Sequence, residues 1–144
     1  MQHDRLPHLE GTTLAGRRVR FPQELPTSGL ILVIAFTYAA RHDVGAWKTA
    51  LTGRGVPFLS LPTAAMDTEV EALNSVAEAM RAHVPAGAWD QVVQIHSGGE
   101  ALSRVYLWQV DVFAKVLRVT GEGEVLARHD AGPFSGAALA AILG

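Results

Sequence analysis

The tripeptide Arg-His-Asp occurs twice in this chain, as Arg41-His42-Asp43 and as Arg128-His129-Asp130. A neutral imidazole serves as a metal ligand or a proton carrier near neutral pH, and an adjacent carboxylate fixes its tautomer and orientation. Brought together, His42 and His129 would bind a metal or form an acid/base pair. Asp43 and Asp130 would then orient them, Arg41 or Arg128 would hold an anion, and Asp111 would be a third candidate carboxylate. The competing reading is structural. An Asp at a helix start is a favourable charge against the helix dipole, and Arg, His and Asp after a strand are ordinary solvated loop residues.

Few other residues offer chemistry. The sequence has no cysteine, which removes disulfides, thiolate nucleophiles and sulfur ligands together. His3 and His8 lie near the N-terminus, His83 at a helix end and His96 in a turn, so no four-histidine cluster is expected. Ser97-Gly98-Gly99 lacks the lysine and the length of a phosphate loop. There is no G-x-S-x-G elbow, and Ser60, Ser75 and Ser103 have no neighbouring His or Asp to make a nucleophile. No cofactor is expected. The spacing of Trp47 marks it as core, whereas Trp89, with Tyr106 and Trp108, is the candidate for an aromatic interface patch.

Composition narrows the partners. Twelve Lys and Arg against fourteen Asp and Glu give a net charge of -2, too little positive charge to neutralise a nucleic-acid backbone. The longest apolar run, Leu30 to Phe36, is far short of the roughly 20 residues that cross a bilayer. The N-terminal residues have neither the basic start nor the apolar stretch of a secretory signal. A cytoplasmic location without membrane insertion is therefore expected, and the excess of Arg over Lys with abundant Ala and Gly suggests a bacterial, GC-rich source. With 144 residues, 49% of them hydrophobic, one globular domain over 1–144 is expected, residues 1–10 forming a mobile N-terminal segment.

The elements that must position these residues follow from periodicity. Leu14 to Phe21 predicts a short edge strand or hairpin, and the branched run Leu30 to Phe36 a strand buried on both faces. Val44, Trp47 and Leu51 fall at i, i+3 and i+7 on a helix ending near Gly53 and Gly55, and Val56 to Leu61 predicts a parallel partner strand. A capping box of Thr68 and Glu71 starts a second helix, with Val70, Leu73, Ala77, Met80 and Val84 inward and Pro85 as its stop. Gln91 to Ile95 reads as a short strand and Glu100 to Trp108 as a short helix with Leu102, Val105 and Tyr106 inward. Val112 to Val119 and Glu124 to Ala127 flank the hairpin turn Gly121-Glu122-Gly123, and a helix from about Phe134 to Leu143 ends the chain.

A βαβ unit, a helix, a β-hairpin and a C-terminal helix, in that order from about Gly11, resemble the thioredoxin fold. Gly11-Thr-Thr-Leu-Ala-Gly16 is similar to the start of its peroxiredoxin-like branch. Phe36-Thr37-Tyr38-Ala39-Ala40 is similar to that branch's strand end, in which a Thr stands three residues before the peroxidatic cysteine; Ala40 occupies the cysteine's position. The resemblance implies an α/β fold with a central mixed sheet of four to five strands and helices on both faces. It also implies a Cys-x-x-Cys at the first long helix and a cis-proline before the hairpin, which Ala39, Ala40, Arg41 and His42 and the proline-free Trp108-Gln109-Val110-Asp111 do not supply. Disulfide exchange and thiol peroxidase activity are excluded on chemistry. A fainter resemblance is to cysteine-poor thioredoxin-like assembly factors of the ATP synthase.

The sequence thus points to a redox-inactive binding or assembly module rather than an enzyme, one that holds a protein partner or a second copy of itself. Its binding face would comprise Tyr38, Ala39, Ala40, Arg41, Trp89 and Trp108. In the resembled fold the two Arg-His-Asp segments are neighbours at the active-site rim, with Asp111 nearby, so the alternative is a metal or acid/base site on His42 and His129.

Overall fold

Leu30–Ala35 is the strand about which the molecule is organised. The structure, a computed structural model, describes residues 4–64 and 66–144, without the side chain of Val70; His3 lies outside them. Leu9–Thr13 (β1), Arg18–Phe21 (β2), Leu30–Ala35 (β3), Phe58–Pro62 (β4), Val93–Ser97 (β5), Lys115–Val119 (β6) and Val125–His129 (β7) are the strands. The helices are Arg41–Gly53 (α1), Asn74–His83 (α2), Gly99–Val105 (α3) and Gly136–Leu143 (α4). β3 sits between β4, parallel to it, and β6, antiparallel, in a four-stranded mixed sheet of order β4-β3-β6-β7. A three-stranded sheet, β2-β1-β5, joins it through the parallel bridges Ser60 to Val92 and Thr63 to Ile95.

Both faces of β3 are buried, as its unbroken apolar run requires. Ile31 and Val33 pack with Trp47 and Leu51 of α1 and with Leu139 and Ile142 of α4. Leu32 and Ile34 turn the other way, into a larger cluster with Leu9, Phe21, Ile95, Leu102 and Trp108. The helix α1 forms because its apolar positions fall on one stripe. At α4 the Ser135 hydroxyl accepts the Ala138 amide at 3.0 Å and caps the helix.

Several expectations are corrected. The N-terminal hairpin starts earlier than Leu14: β1 pairs with β2, and Leu14 lies in their connection. The segment 1–10, expected to be mobile, is docked over its described part. Leu6 and Leu9 are core residues, Leu6 N–H donates to the Gly123 carbonyl at 2.7 Å, and Val125 N–H donates to Asp4 at 2.7 Å. The Thr68 and Glu71 capping box does not form. The Thr68 hydroxyl donates instead to the Met66 carbonyl, and a 3-10 turn, Val70–Leu73, leads into α2 without a side-chain cap. Val105, expected inward, is exposed, while Leu102 and Tyr106 are buried.

Candidate functional site

The end of β3 passes through Thr37 into a 3-10 turn, Tyr38–Ala40, and then into α1. Ala40 is fully buried and Ala39 exposed, so the positions that carry thiols in the resembled fold present only methyl groups. Tyr38 is 78% exposed. The Arg41 guanidinium lies 4.2 Å from the centre of its ring and donates to its carbonyl at 3.2 Å, holding the phenol at the rim by a cation–π contact.

The three carboxylates of the expected site are all engaged in holding the fold. Asp43, in the first turn of α1, accepts the Ala114 amide at 2.8 Å and the Phe134 amide at 2.7 Å, tying the approaches to β6 and α4 to the helix start. Asp111 accepts the Lys115 ammonium at 2.8 Å and the Phe113 amide at 2.9 Å. Burial pushes the Asp111 carboxyl up, but the hydrogen bonds from Lys115 and Phe113 and the charge of Lys115 outweigh it and hold it below the ordinary aspartate value. Asp130 accepts the Trp108 indole N–H at 2.7 Å and pairs with Arg128 at 3.0 Å.

Among the described residues no hydrogen bond or ring contact joins His42 to His129. His42 is exposed, and among the described residues it makes no hydrogen bond or ion pair. His129 is half-buried, its ring 5.3 Å from that of Trp47 and its Nε2 3.0 Å from the Gly132 carbonyl. Among the described residues, no group of three or more His, Asp or Glu is placed to hold a metal.

The aromatic patch also resolves differently. Trp47 is fully buried, as expected. Trp89 is half-buried, donates its indole N–H to the Val84 carbonyl at 2.8 Å and packs against the Leu14, Ala77 and Val92 cluster. Tyr106 and Trp108 are buried and stacked at 4.9 Å, and burial, with Asp4 adding, raises the Tyr106 phenol to about 12. Neither ring is free for a partner. The residues between and beside them point outward instead: Val105, Leu107, Val110 and Val112 are exposed, Leu107 by 86%. Leu107 has φ 55°, a left-handed conformation that costs a branched side chain about 1 kcal/mol or more. Two contacts seat this loop against the end of β3. The Thr37 hydroxyl donates to the Asp111 carbonyl at 2.9 Å, and Phe36 meets Trp108 edge-on at 6.2 Å.

Two hollows open on the surface, one of them reaching the rim. A groove of about 810 Å³ lies between α1 and α2, with Tyr38, Arg41, Ser60, Val92 and Gln94 among its lining. A smaller polar hollow of about 340 Å³ gathers Arg18, Asp67, Thr68, Glu69, His96 and Ser97. The His96 ring is buried on β5 rather than placed in a turn, and burial first, then Arg18, lowers its pKa.

A putative electron transfer protein from Aquifex aeolicus superposes with a TM-score of 0.66 at 11% identity, covering 99% of this chain and 92% of that one. A thio-disulfide isomerase from Thermus thermophilus gives 0.61 at 16%, covering 97% and 92%. A yeast mitochondrial 1-Cys peroxiredoxin gives 0.57 at 12%, covering 96% and 72%. The chain has a thioredoxin-like fold. No family model and no curated protein matches the sequence. This thioredoxin-like chain has no cysteine. The loop before β6 carries no cis peptide; among the described residues the cis bond is Phe21–Pro22, after β2.

Proposed function

We propose that this thioredoxin-like chain is a redox-inactive binding or assembly module that holds a protein partner, or a second copy of itself, through the apolar rim at the end of β3. The observation that carries the reading is the loop 105–112, which buries its two aromatic rings and turns Leu107, Val110 and Val112 to solvent beside the turn bearing Tyr38. A left-handed leucine that is also the most exposed large apolar side chain among the described residues is costly for the isolated fold. Apolar side chains grouped this way are characteristic of interaction surfaces. Alanines at the thiol positions favour non-covalent capture over disulfide exchange. We take the module to act in the bacterial cytoplasm, where a chain free of cysteine needs no oxidising compartment.

The test is site-specific photocrosslinking in the native host. A photoreactive phenylalanine analogue at Leu107 should give one discrete adduct, either with another protein or with a second copy. The adduct should be lost when Val110 is replaced by Asp, and it should not form from exposed Glu122 on the far hairpin turn. An absence of adduct at 107, or the same products from 107 and 122, would overturn the reading.

A further inference from the structure

The groove between α1 and α2 has walls of matching design. On α1, Arg41, Val44, Gly45 and Lys48 fall at i, i+3, i+4 and i+7; on α2, Val76, Ala79, Met80 and His83 repeat the same spacing. Each wall is therefore a helical stripe with a small residue at its centre, which leaves room between the helices. Phe36, Leu73, Val84 and Val92 extend the apolar lining at the ends and floor.

The charge within this groove is one-sided. No Asp or Glu lines it among the described residues, whereas Arg41, Lys48 and His83 do. Arg41 is engaged with Tyr38. Lys48 is half-buried and makes no ion pair or hydrogen bond among the described residues, so no protein anion compensates its ammonium beside the apolar lining. An unpaired cation over an apolar trough is complementary to an anion with an apolar body. Size separates a small guest from a protein surface. The volume of about 810 Å³ falls within the roughly 300–1,000 Å³ of concave small-molecule sites.

We infer that this groove binds a single long-chain carboxylate, with its hydrocarbon chain between the α1 and α2 stripes and its carboxylate on the Lys48 ammonium. The site goes beyond the partner surface at the rim and does not depend on it.

Titration of the purified protein with dodecanoate below its micelle concentration, read by calorimetry and by amide shifts in NMR spectra, tests the assignment. Saturable one-to-one binding is expected, with shifts at Gly45 and Ala79, and dodecyltrimethylammonium, of the same chain length and opposite charge, should not saturate the site. Lys48→Ala should weaken dodecanoate about tenfold or more, while Lys48→Arg keeps most of the affinity. Ala79→Trp, at an exposed helical position, should fill the trough and abolish binding with an unchanged circular dichroism spectrum. The assignment is overturned by an absence of saturable binding, by equal affinity for the cationic amphiphile, by indifference to Ala79→Trp, or by binding to anionic vesicles alone. Leu107→Asp should leave dodecanoate affinity unchanged, so failure of the rim reading and failure of the groove reading are separate results.

Discussion

Asp43 shows how one side chain can look like chemistry and act as a fastener. Its two oxygens accept amides from residues far along the chain, Ala114 and Phe134, where the approaches to β6 and α4 meet the start of α1. Removing it leaves two partly buried donors unpaired, so Asp43→Ala is expected to cost about 2 kcal/mol in chemical denaturation at neutral pH. Exposed His42 beside it should behave as a surface residue, with His42→Ala within about 0.5 kcal/mol of the parent. Equal losses from the two substitutions would contradict this division of roles. The composition of both Arg-His-Asp segments was legible in the sequence, but the amides that saturate Asp43 come from loops whose approach depends on tertiary packing. No local spacing could announce them.

At the scale of elements, the connection from α3 to β6 decides most. Tyr106, Leu107 and Trp108, and Val105 that ends α3 just before them, are all apolar or aromatic, so the sequence offers no polarity contrast to say which face inward. The rings are held inside by specific partners, Trp108 through the Asp130 carboxylate and Tyr106 by stacking on Trp108, and the aliphatic residues are left outside. The same connection ends in an ion pair whose ammonium, that of Lys115, is buried at the first position of β6. The two partners are not equivalent. Asp111→Ala strands a buried cation and should cost about 3 kcal/mol, whereas Lys115→Met fills the same space without charge and should cost far less. Because the folded carboxyl of Asp111 is held below its unfolded value, the pair contributes fully above the ordinary aspartate range. That contribution is lost as pH falls through the lowered value. Acid denaturation of Lys115→Met should therefore be less steep below about pH 4 than that of the parent, followed by circular dichroism. Equal steepness would place the acid-sensitive group elsewhere.

At the scale of the molecule, the order of strands and helices was readable because β3, α1 and the final hairpin each carry a strong local signal: an unbroken branched run, a helical stripe and a glycine turn. The resemblance that this order carries implied a central mixed sheet of four to five strands, and four form it. The second sheet was not, because β1 pairs with β5 far along the chain and Leu9 to Thr13 alternates too weakly to stand out. The docking of the N-terminal segment was hidden for the same reason. It depends on Leu6 filling a gap in the larger core cluster and on backbone bonds to Gly123 and Val125. Leu6→Ala is expected to cost about 2–4 kcal/mol. In hydrogen exchange it should deprotect the Val125 amide while that of Leu32, at the centre of β3, stays protected; an unprotected Val125 amide in the parent chain would refute the docking.

The pairing of β3 has a consequence for the order in which the chain is made. Its first partner, β4, follows closely, but its other edge is filled by β6, which emerges from the ribosome only after α1, α2, β5 and α3. Throughout that interval Leu30 to Ala35 is an apolar strand with one row of backbone donors and acceptors uncovered, the form most prone to pair with another chain. The segment that organises the finished molecule is thus also the one a nascent chain most needs a chaperone to shield.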